Sequence, residues 1–292
     1  MTRFLKILAC MATMFVSCDS NVSNDVQELD LKEQLIGLEN VHNARQLGGY
    51  RIGNKTIKEN LLLRSAKLSD MTEADSLLLC NKYKVQCIYD FRGNDEAVSD
   101  PDPIPGNARY LSLSLSFTEG NSQSSANFGS KEEMIKMLLE NAGHPAVQAM
   151  CTNMYDIIFF EESSQEVYRK FFADLLATDP ENGAVLWHCT QGKDRAGCAS
   201  AMLLAALGAE RNLIMADYIL SKNYYEPMVS RIPVQTESQK TVINTLIGAN
   251  PVIFEATLDK IDAKYGSLGN YLTQCIGVTP QMMQTLREKF LK

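Results

Sequence analysis

The chemistry in this sequence is concentrated in eleven residues, Trp187-His188-Cys189-Thr190-Gln191-Gly192-Lys193-Asp194-Arg195-Ala196-Gly197. They follow the apolar stretch GAVLW and precede the apolar run CASAMLLAALG, so they sit on a strand–loop–helix turn. That turn places Cys189 at a helix N-terminus, among backbone N–H groups and beside a guanidinium, a setting that favours the thiolate. The N–H groups from Thr190 through Arg195 form an anion nest suited to a tetrahedral phosphoryl group. Arg195, six positions after the cysteine, offers a planar fork for two phosphate oxygens. Gly192 keeps a Cβ out of the tight turn. Thiolate, nest and fork together describe attack on phosphorus, a cysteinyl-phosphate, and its hydrolysis, with the charge of the transition state met by preorganised donors. No metal or cofactor is needed. Thr190, Gln191, Gly192, Lys193, Ala196, Gly197 and His188 are the expected phosphate-binding set, with His188 bracing the loop and tuning the thiolate.

The elements that must position this loop can be read around it. Leu61–Arg64 reads as a short strand, and Thr72 opens a helix with Asp75 completing a capping box. Val85–Tyr89 reads as a buried strand ending at Asp90, and Arg109–Leu115 alternates as a strand does. Polar Gly120–Gly129 leads into helices over Lys131–Asn141 and Ala146–Phe160, an insertion expected either to act as a lid or to pack as ordinary helices. Ser163 and Glu166 form a second expected capping box, and Gly183–His188 is the strand before the nucleophile. Helices are expected over 195–207, 211–222, 236–247 and 254–264, and Thr279-Pro280 opens a last one. Strands alternating with helices in one block imply a single α/β domain with a mainly parallel sheet flanked by helices.

Composition narrows the function classes. The chain has 292 residues, 45% hydrophobic and 22% charged, which excludes a disordered or fibrous protein. Its formal charge of −7 excludes a nucleic-acid binder that works by neutralising phosphates with a basic face. Eight cysteines without a CxxC pair, and three histidines, make neither a disulfide framework nor a zinc site. The five cysteines Cys80, Cys87, Cys151, Cys198 and Cys275 read as core. Met134, Met137, Leu138, Met150 and Met154 fall at helical spacing and read as a packed face. A monomer is expected.

The N-terminus reads as processing signal. Arg3 and Lys6 precede an apolar stretch from Ile7 to Val16, too short to span a bilayer but suited to a secretory signal. Val16-Ser17-Cys18 and the polar run after it resemble a bacterial lipoprotein signal, so residues 1–17 are expected to be removed and Cys18 acylated. Residues 18–37 would be the lipidated N-terminus and tether, and 38–292 the catalytic domain. Loss of Arg3 and Lys6 takes the net charge from −7 to −9. The expected place of work is extracytoplasmic, at a membrane held by acyl chains, or secreted if unlipidated.

The H-C-x5-R pattern resembles the cysteine-based tyrosine and dual-specificity phosphatase superfamily. HCTQGKDRAG is similar to its bacterial branch with HCxxGKDRxG, which includes phosphatases acting on phosphotyrosine and on phosphoinositides. The likeness extends to Asn43-Ala44-Arg45-Gln46-Leu47-Gly48-Gly49-Tyr50, Leu63-Arg64-Ser65-Ala66-Lys67-Leu68, Asp90-Phe91-Arg92, Asp217-Tyr218-Ile219-Leu220-Ser221 and Tyr265-Gly266-Ser267. It implies a phosphatase of phosphorylated proteins or phosphoinositides, with Lys193 favouring multiply phosphorylated headgroups. A pseudophosphatase that binds such ligands without turnover is the alternative. A sulfur transferase fits poorly, because five residues between cysteine and arginine match a phosphate loop better than the shorter sulfur loop.

The proton donor is the open assignment. Many tyrosine phosphatases carry it on a Trp-Pro-Asp loop, yet the one tryptophan here is Trp187, inside the motif. Asp194 and Asp90 are the candidates, with Asp102 third. Asp194 could instead only orient Arg195, and Asp90 could only pair with Arg92 or Arg64. Arg45, Arg64 and Arg92 read as structural ion pairs before rim residues. Two departures from the family pattern stand out: Gln46 replaces an aspartate, and Ala196 replaces the Ser or Thr that follows the arginine. That hydroxyl can hydrogen-bond the leaving sulfur, so breakdown of the phosphoenzyme is expected to be slow. A pre-steady-state burst should be larger here than in Ala196→Thr; equal bursts and equal turnover would remove this reading.

Overall fold

The computed structural model describes residues 28–115 and 131–292. The expected signal, Cys18 and the stretch Gly120–Gly129 lie outside these residues. Seven strands are present among them: β1 (Arg45–Gln46), β2 (Arg51–Ile52), β3 (Lys55–Thr56), β4 (Leu62–Ser65), β5 (Cys87–Asp90), β6 (Arg109–Ser112) and β7 (Val185–His188). Helices α1 (Leu31–Gln34), α2 (Glu73–Asn81) and α3 (Asn94–Ser99) lie in the N-terminal third. Helices α4 (Lys131–Glu140), α5 (Pro145–Thr152), α6 (Met154–Phe160) and α7 (Glu162–Ala177) precede β7. After it come α8 (Arg195–Leu207), α9 (Arg211–Val229), α10 (Glu237–Leu246), α11 (Pro251–Tyr265), α12 (Leu268–Tyr271) and α13 (Pro280–Phe290).

The main sheet has the order β1-β4-β7-β5-β6, parallel throughout except for β1. Every residue of β4, β5 and β7 is buried, as expected for parallel strands covered on both faces. Their side chains alternate between two cores. Leu62, Cys87, Tyr89, Val185 and Trp187 face the larger helical layer, whereas Leu63, Ile88 and Leu186 face α2 and the N-terminal segment. The carboxyl ends are in register, with Ser65, His188, Asp90 and Ser112 in one row. β7 is central and its neighbours β4 and β5 come from either side of it, so the loop after His188 opens at a topological switch point.

Most expected elements are present, and the differences have local causes. The capping box at Thr72 and Asp75 forms, as does the cap at Thr279, and Thr236 caps α10. The helix expected over 146–160 is broken at Asn153 into α5 and α6. Ser163 does not cap α7; the helix begins at Glu162, after extended Glu161, so Ser163 lies inside its first turn. Helix α9 runs on to Val229, past Pro227. Residues 31–37, expected in the tether, belong instead to the folded domain. Asp30 caps α1, Leu35 bridges to Arg45, and Ile36 is buried in the smaller core. At the other end the chain leaves α13, and Lys292 exchanges both backbone hydrogen bonds with Thr56.

The insertion packs against the domain rather than standing clear of it. Helices α4 and α5 lie on α10, and α6 lies on α7, α8 and α11. Met134, Met137, Leu138 and Met154 contribute to the core, whereas Met150 faces solvent. The six cysteines among the described residues are all free thiols. Burial raises Cys198, and pushes the Cys87 thiol up to about 11, as core cysteines would be.

Candidate active site

The loop from Cys189 to Asp194 joins the carboxyl end of β7 to the N-terminus of α8. Trp187, on the strand, donates its indole N–H to the Ala196 carbonyl (3.1 Å) and the Ser200 hydroxyl (3.0 Å), fixing the helix relative to the sheet. Cys189 is only 2% exposed. Ala196 is buried, and the next hydroxyl along the helix, Ser200, donates to the Ala196 carbonyl instead of replacing the missing family side chain.

Three successive loop carbonyls are held by donors from elsewhere. The Lys67 N–H reaches the Thr190 carbonyl (3.4 Å). The Gln191 carbonyl accepts from Asn43 Nδ2 (3.2 Å) and the Tyr225 hydroxyl (2.7 Å), and Gly192 from the Arg64 guanidinium (2.6 Å). In a trans peptide the N–H opposes the carbonyl, so the next three amides turn away from these donors. Gly192 has φ of +67°, and a Cβ there would lie 2.3 Å from the Ser65 carbonyl oxygen. Gly197 likewise leaves room for Arg64, whose NH2 would be 3.2 Å from an added Cβ.

Arg64 and Arg45 are buried ion-pair residues, as expected, and share one carboxylate, Asp217. Arg45 also donates to Asn43 Oδ1, to the Asp217 carbonyl and to the Ser221 hydroxyl. Asn43 adopts a left-handed φ of +52°, a conformation that asparagine tolerates. Burial works against ionisation of Asp217, but the charges of Arg64 and Arg45 and the hydrogen bond from Tyr50 hold it below the usual carboxylate range. Gln46, the other departure from the family pattern, accepts the Asn60 N–H at the β1 edge and lies outside this network.

Arg195 is braced by Glu96, a residue the sequence reading did not single out. The pair is two-pronged, NH1 to Oε2 at 2.5 Å and NH2 to Oε1 at 3.0 Å. Thr190 Oγ1 closes a triangle, donating to Glu96 (2.5 Å) and accepting from Arg195 (3.0 Å). Glu96 also accepts the Gly93 N–H at the start of α3. An acidic residue three positions after a helix start was the available signal. Burial opposes its charge, yet the hydrogen bonds and charge of Arg195, with Thr190 and Gly93, lower Glu96 to about 2.

The three candidate proton donors occupy different settings. Asp194 is partly open, with 15% of its side chain exposed. Its Oδ1 accepts from the Tyr155 hydroxyl (2.7 Å), which in turn is 2.6 Å from the Tyr218 hydroxyl. Burial and the nearby Asp194 charge raise both tyrosines, so they remain neutral donors. Lys193 is buried rather than presented at the loop surface. Its Nζ donates to both Asp194 oxygens (3.0 and 2.8 Å) and to the Thr245 carbonyl at the end of α10 (2.8 Å). Asp90 has no exposed surface. It takes the Arg92 guanidinium, the Arg92 N–H and the Tyr110 hydroxyl. Burial would raise it, but the charge of His188 and the bonds from Arg92 and Tyr110 hold it low, so it occupies the ion pair with Arg92 that the sequence allowed. Asp102 is equally buried, pairs with Arg92 (2.5 Å) and accepts the Leu68 N–H (2.8 Å).

Glu96 gives a test of this geometry through stability alone. Its folded-state value lies below the ordinary 4.5, so its contribution is complete above that pH and is lost as pH falls towards 2. Glu96→Gln should therefore lose stability less steeply than the wild type between about pH 4.5 and pH 2. Parallel denaturation curves at each pH would contradict the bidentate pair.

Comparison with known proteins places the chain in a family. The tyrosine phosphatase family profile matches residues 36–292. A Cupriavidus necator protein assigned by name to the tyrosine-protein phosphatases is 24% identical over 95% of this chain and 96% of its own. The triple specificity protein phosphatase PtpB of Mycobacterium tuberculosis is 26% identical over 79% of this chain and 91% of its own. A tyrosine-protein phosphatase of Nostoc commune is 29% identical over 58% of this chain and 51% of its own. Loop, buried arginines and α9 anchor all fall within the matched span, and the chain belongs to the tyrosine phosphatase family, in its bacterial cysteine-based branch, and is a phosphatase.

Proposed function

We propose that this phosphatase hydrolyses phosphotyrosine in proteins through a cysteinyl-phosphate on Cys189. The observation that carries the reading is the outward tethering of the Thr190, Gln191 and Gly192 carbonyls, which leaves a ring of amides for the phosphoryl oxygens. Arg195, held by Glu96, completes the ring as its fixed cation. The depth of Cys189 favours a long aryl phosphate over the shorter phosphoserine or phosphothreonine. In this reading Asp194 is the proton donor. It alone of the three candidates has exposed side-chain surface, and an arriving phosphate dianion would both draw Lys193 away and favour the protonated carboxyl.

Phosphoinositides are the second substrate class, favoured by Lys193, whose ammonium lies beside the nest and could meet a further phosphate. A non-catalytic binder is not favoured, because Cys189, Arg195 and their supports are all in place. We also propose export and acylation at Cys18, supported by the run from Arg3 to Cys18. Native protein should then yield an N-terminal peptide with the mass of lipidated Cys18; an unprocessed Met1 terminus would overturn it.

Hydrolysis of p-nitrophenyl phosphate should vanish in Cys189→Ser. Asp194→Asn should lose about 10²–10⁴-fold in kcat on phosphotyrosine peptides and much less on esters with activated leaving groups. An equal loss on both would assign Asp194 to orienting the loop. Inositol phosphates and phosphoinositides in the same screen decide the second class, by kcat/KM against the peptides.

A further inference from the structure

Beneath Cys189 lies a buried polar cluster that the proposed reaction does not use. His188 has no exposed surface, and neither ring nitrogen has a hydrogen-bond partner among the described residues. Its Nε2 is 3.3 Å from Asp102 Oδ2, and its Nδ1 is 3.7 Å from Asp90 Oδ1. The charges around the ring come from one side of it. β5 brings Asp90, the turn after it Arg92, the following loop Asp102, and β6 brings Tyr110, which donates to Asp90. On the β4 side Ser65 bonds its hydroxyl to the Ala66 carbonyl and offers no charge. Cys189 is the next residue along the chain.

The formal charges leave one proton unaccounted for. Asp90 is fully engaged by Arg92 and Tyr110, and is a settled carboxylate. Asp90, Asp102 and Arg92 then sum to −1 around a neutral imidazole, wholly out of water. A single extra proton makes the cluster neutral, and the two groups able to hold it face each other across 3.3 Å. We propose that Asp102 and His188 share one titrating proton, and that its loss switches on a negative charge behind Cys189 that lowers phosphatase activity on the alkaline side. Asp102 is thus a positioning residue, acting through His188, and the proposal rests on the cysteinyl-phosphate reading for its effect on turnover.

The two protonation states are distinct. With the proton present, Asp102 and His188 hold two protons between them, one of them on Nδ1, and the cluster is neutral. When one leaves to solvent, the other sits on Nε2, the nitrogen nearer Asp102, Nδ1 is bare, and the cluster carries −1. Burial raises Asp102 and lowers His188, in keeping with a proton that moves toward the carboxylate. The negative state opposes both a thiolate at Cys189 and a phosphate dianion in the nest.

The test begins with unmodified protein. The chain has three histidines, so nitrogen-15 histidine spectra can be assigned with His42→Gln and His144→Gln. His188 Nδ1 should pass from protonated to bare in one transition between pH 4 and 10; an unchanged Nδ1 over that range overturns the proposal, whatever the variants do. Asp102→Asn should abolish the transition and move the alkaline limb of kcat/KM up by about one pH unit, the size expected for one charge nearby at an effective dielectric of about 20. The pH midpoint of Cys189 alkylation by iodoacetamide should fall in that variant, a readout independent of turnover. A variant with uniformly lower activity and unmoved pH profiles would show that Asp102 is structural only. If Cys189→Ser retained turnover while the His188 transition persisted, the mechanism would fail and the shared proton would stand.

Discussion

A peptide loop turns its amides toward an anion only when something else takes its carbonyls, and here those donors come from outside the loop. Asn43 belongs to the N-terminal segment, Arg64 to β4, Tyr225 to α9, and Lys67 to the turn after β4. The fixed point among them is the pairing of Arg45 and Arg64 with Asp217. Two guanidiniums and one carboxylate are buried together, so the group carries one net positive charge against the back of the loop. Removing one partner of such a buried pair costs about 3–5 kcal/mol, because the remaining charge stays unsolvated. The stability of the fold and the geometry of the nest therefore rest on the same contact.

That contact explains why distant parts of the sequence carry matching motifs. Asn43 and Arg45, Arg64, and Asp217 with Ser221 are separated by up to 178 residues, yet they form one hydrogen-bonded unit. The next residue on α9, Tyr218, reaches the other side of the loop through Tyr155 to Asp194, and its ring stacks on Phe254 at 4.3 Å. One helix thus sets both the carbonyl side of the loop and its acidic side. The sheet supplies the remaining constraint, since registered ends on β4, β7 and β5 put Ser65, His188 and Asp90 side by side.

The parts legible from sequence were those whose physics is local. Cys189 and Arg195 are six residues apart, so the strand–loop–helix turn alone brings them together. The caps at Thr72 and Thr279 depend on neighbours three positions away, and both form. Long-range pairings were not legible. Glu96 lies 99 residues from Arg195, and only the fold reveals their pairing. Strands β1, β2 and β3 are two residues each, too short to show a period of two. Ser163 shows the converse failure: a local capping pattern lost where α6 packs against α7, with the helix starting two residues earlier than a Ser163 cap would set it.

Lys193 differs in kind from the buried arginines. Arg195 faces Glu96 in a two-pronged fork, and Arg45 and Arg64 each reach Asp217 with one nitrogen, whereas Lys193 divides a compact ammonium between Asp194 and the Thr245 carbonyl. The second acceptor belongs to the last turn of α10, where carbonyls lack helix partners and the dipole is negative. Gln191 makes a long contact with the same helix end, at the Ile247 carbonyl (3.5 Å). A phosphate oxygen near the nest would compete with these acceptors for one rotatable point charge, while Arg45 and Arg64 keep their partners. The loop is thus fixed from behind by charges that have no alternative partner. It meets the α4–α5–α10 layer through a cation that does, which concentrates adaptability where a phosphate arrives.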